Sequence, residues 1–112
     1  MPASEWTVEF YIDKRGRSPV EEYLAALPED ERASVARTIA LVRMFGPALG
    51  MPHARPVGNG LWELRASAQR IFYVGYVGRR FVLLHAYRKK SQQTPRSEIA
   101  TALRRWNELT EG

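Results

Sequence analysis

The chain has 112 residues, no cysteine, 45% hydrophobic and 26% charged residues, and a formal net charge of +5 at pH 7. That length makes one domain, 1–112, around a single core, and the lack of cysteine excludes a disulfide framework and any thiolate metal site. The opening MPASEWTVEF has no basic segment followed by an apolar one, and no apolar run approaches the roughly 20 residues that span a bilayer, so a cytoplasmic protein without membrane contact is expected.

The charge is unevenly spread. Residues 1–50 hold six Arg/Lys against eight Asp/Glu and residues 51–112 hold eleven against four, so the halves carry −2 and +7. Between Glu63 and Glu98 there are eight basic side chains and no acid. Ordinary surfaces mix both signs; a segregated cationic half suits a polyanion, whose phosphates release counterions as Lys and Arg replace them.

In chain order, residues 6–12 alternate with period two, Trp6, Val8, Phe10 and Ile12 against Thr7, Glu9 and Tyr11, which predicts a half-buried strand. Ser18-Pro19-Val20-Glu21 is a capping box with proline at the first helical position, opening a short helix that runs to about Leu27. Pro28 opens a second helix with Glu29, Asp30 and Glu31 in its first turn, where the dipole favours acids, and an apolar stripe of Val35, Ile39 and Val42. Gly46-Pro47 stops it. Residues 47–60 turn to Gly, Pro, Ala and Asn and read as a connecting loop. Three strands are predicted at 61–66, 69–77 and 80–88, joined by turns at 66–69 and 78–79. After the polar turn 91–93, Thr94 is placed as the cap of a last helix with Pro95 at its first position and a stripe of Ile99, Leu103, Trp106 and Leu109. The order β-α-α-β-β-β-α defines an α+β domain with a small, mostly antiparallel sheet. Trp6, Trp62 and Trp106 are expected to pack in the core.

Tight turns fix a register. A four-residue turn at 66–69 sets Arg65 opposite Arg70 and Glu63 opposite Phe72; a two-residue turn at 78–79 sets Phe72 opposite His85 and Arg70 opposite Tyr87. Glu63, Arg65, Arg70, Phe72, His85 and Tyr87 then share one face, with Lys89 just beyond. Trp62, Leu64, Ile71, Tyr73, Val82, Leu84 and Ala86 share the other, for the helices to cover. Two arginines facing each other repel, an arrangement that makes sense where an anion sits between them. Cleaving RNA without a metal needs a base for the 2′-OH, cations for the phosphorane and an acid for the departing 5′ oxygen. Arg65 and Arg70 suit the second task. His85, Glu63 and Tyr87 are the candidates for proton transfer, His85 first because it titrates nearest neutrality. Arg88, Lys89 and Lys90 are candidate RNA-binding cations, and Phe72 is a candidate platform for a stacked base. The two histidines, His53 and His85, are not spaced as metal ligands, so neither a metal nor another cofactor is expected.

The run GLWELR, then QRIFYV, then LLHAYRKKSQQTPRSEI with an amphipathic terminal helix resembles the HigB-type, phage-derived branch of the RelE/ParE toxin superfamily. Arg65, Arg70, His85, Lys89 and Lys90 match its motif positions, and Tyr87 stands where phenylalanine is common. The resemblance implies a RelE-like fold and endonucleolytic cleavage of mRNA, in relatives within the ribosomal A site. It also implies inhibition by a cognate helix-turn-helix, HigA-like antitoxin. The related ParE branch inhibits DNA gyrase instead, and a non-catalytic RNA- or partner-binding module is a third reading.

Overall fold

The structure is a computed structural model and describes residues 5–111. Strand β1 (Thr7–Phe10) is followed by helices α1 (Pro19–Ala25) and α2 (Glu29–Phe45), then by strands β2 (Ala54–Gly58), β3 (Leu61–Ala66), β4 (Gln69–Tyr76) and β5 (Arg80–Arg88), and by helix α3 (Arg96–Glu111). The Ser18 hydroxyl accepts the Glu21 N–H at 3.4 Å and Pro19 opens α1, as the capping box dictates. One five-stranded sheet has the order β1-β5-β4-β3-β2, antiparallel throughout except for the parallel β1–β5 pair.

Three expectations change. Residues 54–58 are a strand and not part of a loop: β2 pairs antiparallel with β3, Arg55 opposite Glu63. Proline is tolerated there because β2 is an edge strand whose outer N–H groups have no ladder to serve. The β4–β5 connection is also one residue longer than expected, since Tyr76 pairs with Arg80 and leaves Val77, Gly78 and Arg79 in the loop. A bulge then offsets the slip. Between Tyr73↔Leu83 and Phe72↔His85 strand β5 carries the extra residue Leu84, so the register beyond it returns to Phe72↔His85 and Arg70↔Tyr87.

The bulge redistributes the core. On the α1–α2 side Val20, Val35 and Val42 pack on Leu64, Ile71, Tyr73, Phe81, Leu83 and Ala86. On the α3 side Ala102, with Ile99, Leu103 and Trp106 behind it, packs on Leu61, Phe72, Val74, Val82, Leu84 and Tyr87. Val82 and Leu84 therefore lie on the face opposite to the one that uninterrupted alternation predicts, and helices cover both faces of the sheet. The tryptophans pack where expected: Trp6 stacks on Phe81 at 4.7 Å, Trp62 on Tyr73 at 6.5 Å, and Trp106 meets the edge of Tyr76 at 5.4 Å.

Gly46, which ends α2, has φ +55°, and a Cβ there would lie 2.3 Å from Trp6 Nε1. Gly46→Ala combines a left-handed backbone with a clash against an indole that is itself stacked on Phe81. It is expected to destabilise the fold by about 2–4 kcal/mol. Urea denaturation measures this, and a loss below about 1 kcal/mol would show that the Trp6 contact is not fixed.

Candidate active site

At the end of the sheet where β3 turns into β4, one hollow is lined by Arg55 from β2, Glu63 and Arg65 from β3, Arg70 from β4, Tyr87 from β5, and then Lys89 and residues 91–94. The hairpin register makes it: Ala66 pairs with Gln69 across a two-residue turn, which fixes Arg65 opposite Arg70, while β5 sets Tyr87 opposite Arg70. Ser67 adopts φ +59° in that turn. The space between these side chains is about 20 Å³, room for one water or one phosphoryl oxygen.

Glu63 organises the floor. It is 2% exposed, and each of its oxygens is held. Arg55 Nε donates to Oε1 at 3.0 Å, and the hydroxyls of Thr94 and Tyr87 donate to Oε2 at 3.2 and 3.4 Å. Arg55 Nη2 also donates to the Thr94 hydroxyl at 3.3 Å. Thr94 is thus spent on Glu63, and it is the Pro95 carbonyl that accepts the first N–H groups of α3, from Glu98 and Ile99. An unpaired carboxylate at this depth would be strongly unfavourable; three donors, one of them charged, offset that.

Around this floor stand four cations and one carboxylate, a local sum of 4 − 1 = +3. Arg70 is 6% exposed, and its Nη1 donates to the carbonyls of Ser67 and Gln69, both at 2.9 Å. Burial, and next the neighbouring Arg65, hold its pKa below the usual guanidinium value. Both causes penalise the charge, and an anion in the hollow would relieve both. Burial pushes the Tyr87 hydroxyl up, and Glu63 adds to it, so at neutral pH Tyr87 is a phenol that can donate. The Lys89 backbone N–H is anchored on the Ala68 carbonyl at 2.8 Å, which ties the end of β5 to the β3–β4 turn.

The sequence-predicted set is only partly assembled here. Glu63, Arg65, Arg70, Tyr87 and Lys89 come together in the hollow. Phe72 shares their face but is fully buried beneath α3, its ring 6.4 Å from His85 and 5.7 Å from Tyr87, and cannot offer a ring to a base. His85 does not line the hollow. Its Nε2 meets Glu98 at 2.6 Å and its Nδ1 meets Arg105 Nη1 at 3.3 Å, both from α3, so the helix stands over the imidazole. Arg88 leaves the patch altogether: as alternation along β5 requires, it points to the α2 side and pairs with Glu31 at 2.8 Å. Lys90 is exposed and lies outside the hollow. Arg55 and Thr94 also line the hollow, and the sequence did not single out either for it. The alternation of Ala54 and Arg55 was the available signal, diluted by Pro56 and Gly58. Among the described residues no group of three or more His, Asp or Glu is placed to hold a metal, and no helix is long and apolar enough to cross a membrane.

With this geometry in view, the chain falls into a known class. Residues 22–107 match the family described as phage derived protein Gp49-like (DUF891), and the chain belongs to that family. A chain of the RelBE2 toxin–antitoxin complex from Mycobacterium tuberculosis superposes with a TM-score of 0.56 at 17% identity, over 76% of this chain and 99% of that one. At that identity the likeness is one of fold, and it is the RelE-like α+β fold expected from the sequence. No curated protein matches the chain by sequence.

The His85 contacts predict a pH dependence. Burial is the largest influence on His85 and lowers its pKa from the ordinary 6.5, opposed by Glu98 and reinforced by Arg105 and Arg104. A depressed imidazole pKa means that the unfolded chain binds the proton first, so this contribution is whole above about pH 6.5 and is lost as pH falls through the folded-state value. Urea melts of the wild type and of His85→Gln should therefore converge in stability between about pH 7 and pH 5. A gap that widens on acidification would mean that Glu98 dominates.

Proposed function

We propose that this protein is the toxin of a type II toxin–antitoxin pair of the HigB kind. In this reading it is a metal-independent endoribonuclease that cuts mRNA in the ribosomal A site, inhibits translation, and is held inactive by a cognate HigA-like helix-turn-helix antitoxin. The observation that carries the reading is the opposed Arg65–Arg70 pair over a buried carboxylate–hydroxyl cluster, in a hollow of about 20 Å³. The phage-derived family and a fold shared with a chain of a toxin–antitoxin complex support it.

The chemistry follows from the groups present. Arg65, Arg70 and Lys89 hold the scissile phosphodiester and stabilise the second negative charge that develops as the 2′ oxygen attacks phosphorus. Glu63 accepts the 2′-OH proton through the Thr94 hydroxyl bonded to it. Tyr87 gives its proton to the departing 5′ oxygen, and the proton on Glu63 returns to Tyr87 along their shared hydrogen bond. One P–O bond forms and one breaks, leaving a 2′,3′-cyclic phosphate and a 5′-OH. The enzyme ends as it began. His85, under α3, is assigned to supporting Tyr87 through ring packing at 6.1 Å.

Induced wild-type protein is expected to arrest growth, with primer extension revealing new mRNA 5′ ends. Arg65→Ala and Arg70→Ala should each lower cleavage by about 10²-fold or more, and Tyr87→Phe by about 10²-fold. Arrest with intact transcripts and DNA-damage signalling would replace this reading with gyrase inhibition, and harmless overexpression of the wild type without antitoxin would leave a binding module. Undiminished toxicity in both arginine variants would remove the site assignment.

A further inference from the structure

Arg55 lies on the edge strand β2, and neither the family match nor the fold gives it a role. Its guanidinium bridges two regimes. The partner carboxylate is 2% exposed, while the arginine side chain is 41% exposed and lines the hollow. The bonds to Glu63 Oε1 and Thr94 Oγ1 use two of the five guanidinium N–H donors, and the other three are not spent on them.

The register supplies the rest. Arg55 stands opposite Glu63, and Arg65 is two residues along β3 from Glu63 and opposite Arg70. Residues so related are same-face neighbours, directly opposite or on a diagonal about 7–8 Å away. Three adjacent strands thus each deliver one arginine to a space of about 20 Å³. Neutralising a buried carboxylate would call for a sealed partner; here an exposed guanidinium is held along its Nε–Nη2 edge and lines the same hollow as Arg65 and Arg70.

We infer that Arg55 is a third phosphate-gripping residue of the RNA site, with Glu63 and Thr94 orienting it. This rests on the nuclease reading, and its test is arranged so that the two can fail separately. The probe is a single-stranded oligoribonucleotide with 2′-O-methyl riboses, which lacks the attacking hydroxyl and binds without being cut. Its affinity is measured over a range of salt for the wild type, Arg55→Gln, Glu63→Gln and the Arg55→Gln/Glu63→Gln double variant, alongside urea melts of each. Arg55→Gln strands a buried charge and loses stability; the double variant removes both charges and regains most of it. The double variant should nevertheless bind about tenfold more weakly than Glu63→Gln alone. Its slope of log K against log salt should be smaller by about 0.7, the value of one phosphate contact on a single strand. A double variant that equals Glu63→Gln in affinity and slope would overturn the inference and leave Arg55 as the neutraliser of Glu63. A wild type that binds the probe through Arg55 but leaves mRNA on translating ribosomes uncut would overturn the nuclease reading and leave Arg55 as an anion contact.

Discussion

The buried Glu63 carboxylate is the interaction on which the rest of the site depends. Taking such a group out of water costs several kcal/mol, and it is tolerated here only because Arg55, Thr94 and Tyr87 converge on it. Those three residues come from β2, from the segment before α3, and from β5. One carboxylate therefore ties together pieces of chain that the backbone ladder alone would not align side chain to side chain, and the hollow above it inherits their geometry. Because each tie is a hydrogen bond, each is directional, and the charged one from Arg55 at 3.0 Å is the shortest of the three.

Against that anchor the site holds an imbalance. Four cations surround one carboxylate, and two of them face each other across a hairpin. Folding the chain thus brings like charges together, and the α+β scaffold must hold them there through covered cores on both faces of the sheet. Strain of this kind persists where the surrounding packing over-determines the geometry. It is a reasonable arrangement for a protein whose ligand supplies the missing negative charge.

The opposed arginines were legible in the sequence because a two-residue turn leaves a single register, and the helices because Ser18-Pro19 and Gly46-Pro47 punctuate them. Strand β2 was not, since Pro56 and Gly58 give a five-residue segment the composition of a loop and only the vacant edge of β3 makes it a strand; Arg55 was lost with it. The Leu84 bulge has no compositional mark, so the predicted pairing beyond it came out right for an incomplete reason while Val82 and Leu84 were assigned to the wrong face. Residues 69–74 are buried without interruption, which hides from any period-two reading that α3 covers the face holding Phe72 and His85. Alternation with Tyr87 already turns Arg88 away from the patch; that it meets Glu31, 57 residues away, is beyond the reach of local pattern.

The parallel β1–β5 pairing has a consequence for how the molecule comes into being. Thr7 is joined to Arg80, and β1 sits at the margin of the sheet with β5 as its neighbour. During synthesis the first strand made must wait, with Val8 and Phe10 uncovered, until the last strand has emerged. Such distant pairing slows folding and keeps apolar surface open to other encounters. It also means that a chain cut short before β5 is left without the neighbour of β1 and without Tyr87, so a truncated product would lack one wall of the hollow and leave apolar surface uncovered.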